Sequence, residues 1–71
     1  MPNAQTQQSR RLLRLPEVKQ RVGLSRTEIY RRIQRGAFPR SIPLGPQSAA
    51  WDSIAIDTWI DGQLRAAEVA R

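Results

Sequence analysis

Apolar and polar positions divide the chain into short segments punctuated by Gly and Pro. Residues 1–9 are polar, Gln-rich and aperiodic, so residues 1–10 are expected to form a disordered N-terminal arm. Arg11-Leu12-Leu13-Arg14-Leu15 reads as a short strand or an extended lead-in. Pro16 then suits the first position of a helix over 16–22, with Glu17 complementing the helix dipole in the first turn. Val18 and Val22 share one face, and Gly23 supplies the left-handed residue that stops the helix.

Only Gly23-Leu24-Ser25 separates this helix from the next. Ser25 is the expected N-cap, and Glu28 three residues later completes a capping box. A second helix is predicted over 26–35, closed by Gly36. At about 100° per residue, Ile29 and Ile33 lie together, while Thr27, Arg31, Gln34 and Arg35 lie on the far side. Tyr30 sits on the flank. Two short helices, a Gly-containing turn and a basic outer stripe on the second helix form a helix-turn-helix signature.

Ile42 and Leu44 alternate with polar or Pro positions, as a half-buried edge strand would. Gly45-Pro46 is turn chemistry, so a β-hairpin with its tip near 45–48 returns Trp51 to the core. Such a hairpin beside a helix-turn-helix is a wing. Asp52 or Ser53 caps a third helix, whose Ile56, Trp59 and Ile60 form a narrow apolar stripe. Gly62 ends that helix, or the helix continues as a tail over 62–71, where Leu64 and Val69 lack obvious partners. Ile29, Ile33, Phe38, Trp51 and Trp59 are assigned to the core. The fold class is mainly α with a small β-hairpin, its winged helix-turn-helix spanning 11–61.

Composition narrows the function. Seventy-one residues allow one small domain, and no apolar run approaches a membrane helix. The N-terminus has neither the basic nor the apolar region of a secretory signal, so a cytoplasmic, nucleoid-associated protein is expected. With no His and no Cys, the usual zinc sets and the Ser-His-Asp and Cys-His catalytic sets are unattainable. The expectation is therefore no enzyme, no cofactor and no metal. Net charge is +6, unevenly placed: residues 10–40 hold ten basic and two acidic side chains, and residues 41–71 hold two basic and four acidic ones. Arg outnumbers Lys eleven to one, and its planar fork suits phosphate oxygens and guanine edges.

The segment Val22-Gly23-Leu24-Ser25-Arg26-Thr27-Glu28-Ile29-Tyr30-Arg31 resembles the Gly-Leu-Ser-Arg-x-x-Ile-Tyr-Arg stretch of the AlpA family of phage and prophage regulators. The likeness continues through Gly36, Phe38-Pro39, Leu44-Gly45-Pro46, Trp51, Ile56 and Trp59-Ile60, covering about residues 11–61. It implies a MerR- and excisionase-like winged helix-turn-helix, with the second helix in the DNA major groove. It also implies that Ser25, Arg26, Thr27, Tyr30 and Arg31 occupy the DNA-contacting segment. The chain departs from the family pattern at Gln47-Ser48, where relatives commonly carry a basic residue, and at Ile54-Ala55, where they tend to have Ser-Glu.

The candidate DNA-binding residues are accordingly Ser25, Arg26, Thr27, Tyr30, Arg31, Gln34, Arg35 and Arg40, with Gln47 and Ser48 at the wing. Arg31 is the candidate for a bidentate guanine contact. Arg26, Arg35, Arg40 and Arg14 are candidates for phosphates, and Arg32 for an ion pair with Glu28. The expected partner is double-stranded DNA, with further copies of the chain on repeated sites, an integrase or RNA polymerase as candidate protein partners, and no membrane. The reading is a transcriptional regulator or an excisionase-type bending factor of a mobile element. The alternative is an adaptor or antirepressor that uses the same small fold to bind protein.

Overall fold

The computed structural model describes residues 10–69. The arm at 1–9 and the final two residues of the tail lie outside the described residues. In chain order the elements are strand β1 (Leu12–Leu13), helix α1 (Leu15–Val22), helix α2 (Arg26–Gln34), strand β2 (Ile42–Gly45), strand β3 (Ser48–Asp52) and helix α3 (Ser53–Val69).

The turn between α1 and α2 follows from local chemistry. Pro16 sits in the first turn of α1, and Gly23 closes the helix at φ 72°, its N–H bonding Lys19 O. Ser25 caps α2, its Oγ accepting from the Glu28 N–H at 3.2 Å. The reciprocal half of the expected capping box does not form, because the Glu28 carboxylate is engaged by Arg31 and Arg32 instead. The chain leaves α2 through Gly36 at φ 74°.

The sheet has three antiparallel strands in the order β1-β3-β2, one more than the hairpin alone. Leu13 lies opposite Trp51 and Leu12 opposite Asp52. The β1–β3 pairing is extended by Ser53, whose N–H donates to Arg11 O at 2.8 Å and whose Oγ accepts from the Arg11 N–H at 2.9 Å. Two residues are too short to announce themselves by period. The alternative of an extended lead-in is thus resolved as a strand by its partner.

β2 does not fulfil the expectation of half-burial: Ile42 is 39% and Leu44 47% exposed. It is an edge strand with no helix against its outer side among the described residues, and Pro43 removes a donor that an edge would otherwise present. Gly45 pairs with Ser48, leaving Pro46-Gln47 as a two-residue loop. Pro46 locks φ negative, so the turn is not one of the primed types that match strand twist. A register irregularity lies just before it, between Pro43 and Gly45.

The core lies where the sheet meets the three helices: Leu13, Val18, Ile29, Trp51 and Ile56 are fully buried, with Phe38 beside them. Ile33 and Trp59, assigned to the core, pack on its edge and remain partly exposed. Asp52 caps α3 through the Ile54 N–H at 3.1 Å, which settles the choice between Asp52 and Ser53. The helix then continues through Gly62 to Val69, and from Asp61 onward every described side chain is exposed.

Candidate nucleic-acid interface

α2 is seated by its inner face. Ile29 is fully buried and Ile33 packs beside it, which turns Thr27, Arg31, Gln34 and Arg35 outward; these and Arg26 in the first turn are all exposed. Ser25 is exposed at the cap, and Tyr30 is half-buried on the flank. The Tyr30 ring meets Trp51 of β3 edge to face. On its other side it carries the Arg26 guanidinium, 5.3 Å from the ring centroid. One aromatic side chain thus packs inward and supports a cation outward.

The wing comes to the same side. Arg14, Leu15 and Pro16 at the start of α1, Arg26 and Tyr30 of α2, and Gln47, Ala49 and Trp51 of the wing line one groove of about 430 Å³. Alternation along β3 puts Ala49 and Trp51 on one face, and Gln47 of the adjoining turn lines the same groove. Ser48 points to the opposite face and is half-buried, so the structure separates it from Gln47. Arg14, which the helical pattern leaves outside the main stripe, joins Arg26 across this groove. The pairing of β1 with β3 and the packing of α1 on the same strand bring it there.

Arg40 is exposed immediately before the wing. The loop that displays it is clamped from both ends by indole donors. Trp59 Nε1 donates to Ala37 O at 2.9 Å, and Trp51 Nε1 donates to Pro39 O at 3.0 Å. Between them Phe38 packs edge to face on Trp59, with centroids 4.9 Å apart.

Ion pairing sorts the cations. Arg10 pairs with Asp52, Arg11 and Arg21 with Glu17, Arg21 also with Asp57, and Arg31 and Arg32 with Glu28. The expected Arg32–Glu28 pair is formed at 3.1 Å, and Arg31 shares the same carboxylate at 3.3 Å. Arg14, Arg26, Arg35 and Arg40 make no ion pair among the described residues. All four phosphate candidates, like Lys19 and Arg65, are thus left without a compensating carboxylate among the described residues. Two of the paired carboxylates are perturbed accordingly. Hydrogen bonds from the Arg10 guanidinium hold Asp52 below the ordinary carboxylate range, and Arg11 does the same to Glu17.

A family model described as "Prophage CP4-57 regulatory protein (AlpA)" matches residues 11–64. The chain belongs to the AlpA family. The AlpA match takes in α1, α2, the wing and the packed half of α3, so every candidate residue from Ser25 to Ser48 lies inside it. The chain is also similar to the "Uncharacterized protein ORF88" of Enterobacteria phage P4, 41% identical over 54 residues. That alignment covers 76% of this chain and 61% of the phage protein, so the chain spans about three fifths of its relative. AlpA proteins are a family of phage regulators, which agrees with a helix-turn-helix surface and with no reaction in particular. No helix among the described residues is long and apolar enough to cross a membrane. Nor does any group of three metal-ligating side chains occur among them.

Proposed function

We propose that this AlpA-family chain is a sequence-specific binder of double-stranded DNA that serves a phage or mobile element as a regulator. Helix 26–35 enters the major groove, and the wing at 41–51 meets the neighbouring backbone. The observation that carries this reading is the division of α2: Ile29 is fully buried on one side, while Thr27, Arg31, Gln34 and Arg35 are exposed on the other. Arg31 and Gln34 face base edges. Arg26, Arg35, Arg40 and Arg14 hold phosphates, and Thr27, Tyr30, Ser25 and Gln47 complete the contact, Ser48 being left out because it lies on the opposite face.

One short helix makes few base contacts, so further copies on repeated sites supply the remaining affinity. An integrase or RNA polymerase is the protein partner according to whether the complex bends DNA for excision or acts at a promoter. The site of action is the cytoplasmic nucleoid.

Titration of duplex DNA against salt tests the reading. Log K should fall linearly with log [salt], with a slope set by the phosphates neutralised, and a selected sequence should outcompete random duplex. A flat salt response with no sequence preference would favour the adaptor instead. The exposed Leu64 and Val69 on the distal part of α3 are the observation on its side.

A further inference from the structure

The DNA-facing helix carries one carboxylate, and its placement is specific. Glu28 stands in the first turn of α2, its backbone N–H tied to Ser25 Oγ. Its side chain divides between two neighbours: Oε1 accepts from Arg31 Nη1 at 3.3 Å, and Oε2 accepts from Arg32 Nε at 3.1 Å. Arg32 is mostly covered, with its side chain 29% exposed, whereas that of Arg31 is 59% exposed. The contact uses a single donor of Arg31. Its Nε and Nη2 make no hydrogen bond among the described residues, leaving a two-donor edge of the kind that matches guanine O6 and N7.

We propose that Glu28 is a positioning residue that sets base selectivity, by holding Arg31 in place and restraining both arginines from the phosphates. The proposal rests on the DNA-reading role of α2. A long arginine left free beside a duplex goes to the nearest phosphate, because charged oxygens line both walls of the groove. A carboxylate 3.3 Å from the guanidinium repels an approaching phosphate but costs a neutral guanine edge little. Arg31 is thereby steered from a contact that every sequence offers to one that few offer, which is selectivity gained through repulsion. The dipole at the start of α2 favours the same carboxylate, so Glu28 is stable where it stands.

Sequences bound by the unmodified protein are first selected from a random duplex pool. Absence of any preference would refute the base-reading role itself, before Glu28 is changed. With a selected and a scrambled duplex, Glu28→Gln is expected to bind the scrambled duplex about threefold tighter, with a steeper salt dependence. The ratio of selected to scrambled affinity should fall about tenfold. Glu28→Asp keeps the charge and the helix-start interaction but falls one methylene short, and it should lower the ratio while leaving the salt slope unchanged. Because Glu28 acts through Arg31, adding Glu28→Gln to Arg31→Ala should lower the ratio no further. Thermal melts establish that each variant is folded. A ratio within about twofold of the unmodified protein's in the folded variants would overturn the proposal, as would an equal loss of affinity for both duplexes, which is the mark of a purely structural residue.

Discussion

The Tyr30 and Trp51 rings meet edge to face, their centroids 6.2 Å apart and their planes at 65°. This contact joins α2 to the return strand of the wing, the two parts proposed to grip DNA. Tyr30→Ala removes the ring from both Trp51 and Arg26, and should cost about 1–3 kcal/mol of stability, below the range for a fully buried aromatic. Tyr30→Phe keeps both ring contacts and should stay within about 1 kcal/mol of the unmodified chain. Urea unfolding midpoints at constant m-value provide the comparison.

Arg31 and Arg40 are expected to separate reading from holding. Arg31→Ala should cost on the order of 1–3 kcal/mol on a selected duplex and relax preference at one base position. Arg40→Ala, on the clamped loop before the wing, should weaken every duplex alike and reduce the salt slope by about one. Uniform weakening by Arg31→Ala would reassign that side chain to the backbone. Altered base preference in Arg40→Ala would do the reverse.

Two glycines are expected to respond to alanine with opposite signs. Gly23 ends α1 at φ 72°, where a Cβ is strained, so Gly23→Ala should destabilise by about 1 kcal/mol or more. Gly62 lies inside α3 with open space around the position its Cβ would take, and Gly62→Ala should stabilise by about 0.5–1 kcal/mol. Loss of stability in Gly62→Ala would mean that the helix stops there, contrary to the continuous α3.

Acid should loosen the β1–β3 seam. Asp52 and Glu17 have their pKa values depressed in the folded chain by hydrogen bonds from Arg10 and Arg11. A depressed carboxylate contributes stability that is present above its unfolded value and is lost as pH falls through its folded value. Stability should therefore decline below about pH 4, with small amplitude because both pairs are exposed. Asp52→Asn removes the Arg10 ion pair and should flatten this decline while Glu17 retains its share. Tm measured from pH 2 to about pH 6 decides it, and an identical acid limb in both proteins would contradict the assignment.

Much of this architecture is legible in one dimension, because its signals are local. Pro16, Gly23, Ser25 and Gly36 punctuate the helices through backbone chemistry that needs no distant partner. The inward placement of Ile29 and the outward placement of Thr27, Arg31 and Gln34 follow from helical periodicity alone. The wing's turn and the return of Trp51 follow from Gly45-Pro46 and the apolar run after it.

What sequence could not determine depended on residues far apart in the chain. Leu12–Leu13 is a strand only because Asp52 and Trp51 lie opposite it, some forty positions away. Ile42 and Leu44 read as half-buried by alternation, yet a strand's burial is set by what lies against its faces, and β2 lies at the edge. Arg14 and Arg26 line one groove because β1 and α1 are both held against β3, and Arg10, Arg11 and Arg21 are withdrawn from the free cationic surface by carboxylates on other elements or turns. Sequence alone determined the extents of α1 and α2 to within a residue and the faces they present, since backbone conformation and periodicity act over a few residues. The tertiary structure decided which charges remain available to a polyanion, since ion pairing depends on distances that only the folded chain defines.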